Sequence, residues 1–148
     1  MLLNEYRKVV KNMNRMLDEF NVLITKEVKE LDDFHLTSQQ EVVLIYISSR
    51  DRLTAAQIAH EFDITKSAVS QVLTKLEQQE MITKIVNQDN RRESFIVLGE
   101  KGKQFIATLE EIDAQMIEKY YSKIEIEDLV HMTNTMEKIN QVIKKSKQ

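Results

Sequence analysis

The sequence predicts a mainly α-helical protein: a winged helix-turn-helix lobe with a helical dimerisation region built from the N- and C-terminal helices. Three observations carry this. Proline is absent and glycine stands only at Gly99 and Gly102, so little interrupts long helices. Between Leu53 and Gly99, two short helical periods are followed by two β-branched runs around a polar tip. Outside that stretch, apolar residues recur at helical spacing over lengths too great for one small domain to hide.

A first helix is expected over residues 2–31. Tyr6, Val9, Val10, Met13, Met16, Leu17, Phe20, Leu23, Ile24, Val28 and Leu31 hold one stripe, and Asp32, Asp33 and His35 mark its end. Thr37 and Gln40 then form a capping box. The helix it opens, from Val42 to Ile47, is apolar almost all round and should lie in the middle of a domain. Residues 48–52 make the exit turn.

A second capping box, Thr54 with Gln57, starts a short helix with Ile58, Ala59 and Phe62 on its apolar face. Asp63 breaks it, in a turn that wants a left-handed residue. Thr65 caps the next helix, expected to run to Glu80. Ala68, Val69, Val72, Leu73 and Leu76 face inward. Lys66, Ser67, Ser70, Gln71, Thr74 and Lys75 face out, and no acid appears before Glu77. A polar face on an isolated helix is usually just solvated. Here the preceding motif helix and the wing that follows favour a surface that approaches a polyanion and reads base edges. Residues 81–86 and 94–98 read as strands, with Ile82, Ile85, Phe95 and Ile96 expected to pack on the helices. Between them Asn87–Arg92 forms a tip that ends in Arg91 and Arg92, suited to a minor groove.

These segments, in this order, resemble the MarR family of bacterial transcription regulators. The matching residues are Leu36-Thr37-x-x-Gln40, Gln57-Ile58-Ala59, Ile64-x-x-Ser67-Ala68-Val69-Ser70, Leu76-Glu77, Asn90-x-Arg92 and Leu98-Gly99-x-x-Gly102. They cover residues 36 to 102. The family usually has Asp where Asn90 stands, which weakens any intra-wing ion pair holding Arg92, although Asp89 is adjacent, and Thr or Ser where Gly99 stands. The resemblance implies a repressor released from DNA by a small aromatic or phenolic ligand bound between the dimer helices and the DNA-binding lobe.

Beyond the wing, Phe105, Leu109, Ile112, Met116 and Tyr120 mark one helix, residues 100–120. Leu129, Met132, Met136, Ile139 and Ile143 mark another, residues 126–144. Both stripes read as coiled-coil-like seams. Residues 1–35 and 100–148 would form the dimerisation region and residues 36–99 the DNA-binding domain. A homodimer covers the surplus apolar surface and presents two copies of the motif to a pseudo-palindromic site on double-stranded DNA.

Composition narrows the function classes. There is no cysteine, so disulfides, thiolate nucleophiles and thiol redox sensing are excluded. No Gly-rich nucleotide loop or dense carboxylate–histidine cluster is present, and no catalytic, cofactor or metal site is expected. A metal-responsive regulator would have to use His35, which lacks a second histidine at ligand spacing. His60 faces outward and His131 sits on the last helix. No signal peptide or membrane span is apparent, which points to the cytoplasm. The net charge of −3 leaves a winged-helix protein–protein module without DNA binding as the alternative. Yet residues 50–103 hold nine basic and eight acidic groups, the only third of the chain with a positive balance. DNA affinity must then come from local placement. Thr65, Lys66, Ser67, Ser70, Gln71, Thr74 and Lys75 would meet the major groove. Arg91 and Arg92 would serve as the wing, with Thr54, Gln57 and Lys84 on the DNA backbone.

Overall fold

A computed structural model describes residues 1–147 and divides the chain into two compact units, Met1–Phe34 and His35–Gln148. The first contains α1 (Leu2–Ile24) and a 3-10 helix, Lys29–Phe34. The α-helix is shorter than its apolar stripe predicts. Thr25 N–H donates to Val22 O and Glu27 N–H to Ile24 O, so i→i−3 bonds replace the helical pattern where two β-branched residues, Ile24 and Thr25, adjoin. No residue of α1 is buried within the chain. Tyr6, Val9, Met13, Met16, Leu17 and Phe20 all remain exposed.

The second unit begins at His35, whose φ of 53° is left-handed. It holds α2 (Ser38–Ser48), α3 (Ala55–Phe62), α4 (Lys66–Gln78), β1 (Ile82–Val86), β2 (Ser94–Leu98), α5 (Glu100–Lys119), a 3-10 turn and α6 (Ile126–Ser146). Both expected capping boxes are present. Thr37 and Gln40 exchange bonds of 2.9 and 3.1 Å, and Thr54 and Gln57 exchange bonds of 2.9 and 3.2 Å.

Both motif helices end in the same way. Asp63 (φ 50°) and Glu80 (φ 61°) take the left-handed position. Ile64 N–H then donates to Ala59 O (3.1 Å) and Met81 N–H to Leu76 O (2.9 Å), closing two Schellman motifs. Glycine usually fills this position; here acids fill it. Asp63 Oδ2 is buried without a hydrogen-bond partner.

The core of this unit gathers Val43, Leu44, Ile47, Ile58, Val69, Leu73, Leu76, Ile82 and Ile96. Each such large side chain contributes about 1.5–3 kcal/mol of burial. Expectation and structure differ at three places. Val42 and Ile45 of α2 are exposed, so that helix is buried on one side only. Ile85 is 47% exposed because a strand alternates its faces, while Ile82 and Ile96 point inward. Phe105, Ile112 and Met116 of α5 are buried in the chain, so most of that stripe is core of the chain itself, not a free seam.

β1 and β2 pair antiparallel, Ile82 opposite Leu98 and Val86 opposite Ser94. Leu53 bridges Ile96, with Ile96 N–H donating to Leu53 O at 2.6 Å. The chain entering α3 is thereby tied to the base of the wing.

Candidate nucleic-acid interface

The reading helix, α4, is anchored by Val69, Val72, Leu73 and Leu76, which turn its other face outward. Thr65 is extended (φ −70°, ψ 156°), and its Oγ1 accepts the Ala68 N–H at 3.0 Å. Lys66, Ser67, Ser70, Gln71, Thr74 and Lys75 are all exposed, as is Thr65. Thr74 spends its hydroxyl proton on Ser70 O (2.8 Å), leaving its oxygen as an acceptor. Gln71 keeps a free amide, which can donate and accept at once. Thr65 through Lys75 thus share one outward surface, and its first carboxylate is Glu77. That carboxylate stands 3.8 Å from Lys84 Nζ on β1, so the cation sits beside the last turn of the helix.

At the start of α3, Thr54 is only 8% exposed and both its amide and its hydroxyl are engaged in the capping box. Gln57 is exposed; its Oε1 accepts the Thr54 N–H, and its Nε2 remains to donate outward. The helix start offers anions its orphan amides and the positive end of its dipole.

The wing tip is built from asparagine turns. Asn87 Oδ1 accepts the Asp89 N–H (3.0 Å), and Asn90 Oδ1 accepts the Arg92 N–H (3.2 Å). Asn90 N–H donates to Asn87 O and Glu93 N–H to Asn90 O. Arg92 is thus held through its backbone rather than by an ion pair. Arg91 and Arg92 are exposed, and among the described residues neither forms a salt bridge.

Sequence reasoning missed two arrangements. Gln40 Nε2 donates to Gln79 Oε1, and Gln79 Nε2 donates to His35 O, both at 3.4 Å. This joins the cap of α2 to the C-cap of α4. Arg50 and Arg52 lie in a groove beside α3, each within cation–π distance of an aromatic ring. The available signal was an Arg-x-Arg pair with Tyr46 four residues before Arg50, but Phe95, the partner of Arg52, is too distant in sequence to be read from spacing. Among the described residues no cluster of three or more His, Asp or Glu could hold a metal ion, and no helix is long and apolar enough to cross a membrane.

Known proteins give this geometry a context. Residues 36–94 match the MarR family. The HTH-type transcriptional regulator BilQ of Clostridioides difficile is 25% identical over 118 residues, which is 78% of this chain and 80% of BilQ. The HTH-type transcriptional regulator TcaR of Staphylococcus aureus is 23% identical over 138 residues, 89% of each chain. FabT of Streptococcus pneumoniae, solved in complex with DNA, superposes with a TM-score of 0.73 at 19% identity, covering 95% of this chain and 98% of FabT.

Proposed function

We propose, from a chain that carries a MarR family domain over residues 36–94, that this protein is a DNA-binding transcription regulator. In this reading it acts as a homodimer on a pseudo-palindromic operator, represses, and is released by a small aromatic or phenolic ligand. The observation that carries DNA binding is the outer face of α4, where seven exposed residues from Thr65 to Lys75 include two cations and no acid. Gln71 offers a bidentate match to adenine, and Ser67 and Ser70 suit base edges or phosphates. Gln57, Lys84 and the α3 terminus capped by Thr54 position the backbone, while Arg91 and Arg92 enter the minor groove.

Dimer formation is supported by apolar side chains left exposed among the described residues. On α6, Met132, Met136, Ile139, Val142 and Ile143 are exposed, and the α1 stripe is likewise exposed. BilQ and TcaR are regulators and FabT is bound to DNA, which agrees with the same class of activity. The test is a salt series on duplexes selected by the purified protein from random DNA. A steep log–log fall of affinity with salt, with the selected site preferred over random duplex, is expected. Failure to enrich any duplex would leave the winged-helix protein module as the better reading.

A further inference from the structure

Beside the start of α3 runs a groove lined by Tyr46, Arg50, Arg52, Gln57, His60 and Glu61. The Arg50 guanidinium carbon stands 5.6 Å from the centre of the Tyr46 ring, and that of Arg52 stands 5.4 Å from the centre of the Phe95 ring. Tyr46 is itself propped edge-on by Phe62, with ring centres 5.5 Å apart. Among the described residues neither arginine has a carboxylate partner. The one acid lining the groove, Glu61, lies 3.9 Å from Lys144, and the exposed Asp51 lies between the two arginines in the chain.

An arginine held over a ring by a cation–π contact is restrained before it meets a ligand, while its N–H groups stay unpaired. Such a group is pre-set for phosphate oxygens, whereas a free surface arginine must lose rotamer entropy first. Two of them, in a chain with more acids than bases, stand next to Gln57 and the amino end of α3. In a helix-turn-helix the first motif helix crosses the DNA backbone. The Leu53–Ile96 bridge keeps the arginine segment against the strand that carries Phe95.

We propose that Arg50 and Arg52 form an auxiliary phosphate clamp, which grips the DNA backbone outside the base pairs read by α4 and so lengthens the footprint of each protomer. His60, exposed at the same groove, lies within the clamp. This rests on the DNA-binding reading above, and the experiment separates the two. Binding is measured over a salt series on a duplex holding only the core site and on one extended by flanking base pairs of arbitrary sequence, for the wild type and for R50Q/R52Q. The wild type is expected to prefer the extended duplex by about tenfold, and the double variant to bind both lengths alike. The salt slope on the extended duplex should flatten by roughly one unit per guanidinium lost. Phosphate ethylation interference on the wild type alone reads the same contact without any variant, and interference at phosphates outside the core is expected.

An unchanged slope and length preference in the double variant, or no interference outside the core, overturns the clamp while core binding still upholds DNA recognition. No binding of any duplex by the wild type overturns both. Salicylate serves as a small-anion probe. If it raises the melting temperature of the wild type but not of R50Q/R52Q, while the salt slopes stay equal, the groove is a small-anion site and the clamp is rejected.

Discussion

Asn90 Oδ1 accepts the backbone N–H of Arg92 at 3.2 Å, so the residue two before the second wing arginine sets the direction in which that arginine leaves the chain. An aspartate there would make the same turn but add a carboxylate to the surface proposed to meet DNA phosphates. Asparagine makes the turn without charge. Asn90→Ala should therefore weaken operator binding by about 0.5–1.5 kcal/mol, the worth of one ordinary hydrogen bond, with little change in thermal stability because the tip is exposed. Asn90→Asp should retain the turn and lose affinity only through charge, most visibly at low salt. Equal affinity of Asn90→Ala and wild type would show that the wing does not depend on this turn.

The start of α5 is pressed onto the end of the reading helix. A Cβ on Gly99 would lie 2.5 Å from Glu80 O, and one on Gly102 would overlap Met81 O. Gly99 N–H also donates to Met81 O at 2.8 Å, and Lys101 pairs with Glu80 at 3.1 Å. Backbone cannot yield here as a flexible side chain would. Gly102→Ala should thus destabilise the fold by about 1–3 kcal/mol, read as a lower denaturant midpoint at unchanged m-value. Gly99→Thr should also lose stability in this chain, because the place of its side chain is already occupied by the Glu80 carbonyl. A stability-neutral Gly102→Ala would mean that the two helices are not held this closely.

What the sequence discloses here depends on how local each device is. A capping box needs four consecutive residues, so Thr37/Gln40 and Thr54/Gln57 are readable from spacing and occur where expected. Asp63 is readable for the same reason, since a left-handed Asp is a known substitute for Gly. Glu80 is not, because glutamate has no such preference and only the 6→1 bond from Met81 to Leu76 reveals it. Periodicity shows that a face is apolar but not whose core it joins: Phe105, Ile112 and Met116 look like Met132, Met136 and Ile139 in sequence, yet only the first three are buried in their own chain. The Gln40–Gln79 link and the Arg52–Phe95 cation–π contact bring together residues some forty positions apart, which no local pattern encodes.

That contrast between α5 and α6 supplies a test of the homodimer. No residue of α6 is buried in the single chain, so polar changes there do not touch the α2–α5 core. Met136→Asp combined with Ile139→Asp places two charges on the exposed stripe. The variant should sediment as a monomer at concentrations where the wild type is dimeric, and its melting temperature should lose concentration dependence. Persistence of an unaltered dimer would remove α6 from the proposed interface.

The proposed contact with DNA divides into a part that would read bases and a part that would supply charge, and two substitutions separate them. Gln71 lies exposed on α4 and carries an amide but no charge. Gln71→Ala should cost about 1–3 kcal/mol per half-site on the preferred operator and relax its sequence preference, with the salt slope nearly unchanged. Arg92 carries its charge to the tip of the wing, where a narrow A·T-rich minor groove has its strongest negative potential. Arg92→Ala should weaken binding to operator and random duplex alike and flatten the slope by roughly one unit per protomer. Both variants are measured on one operator and one random duplex over a single salt series. If the Gln71 change flattens the slope while the Arg92 change leaves it intact, the helix and the wing have exchanged roles and the docking is wrong. If neither change alters binding, α4 and the wing are not the surfaces that meet DNA.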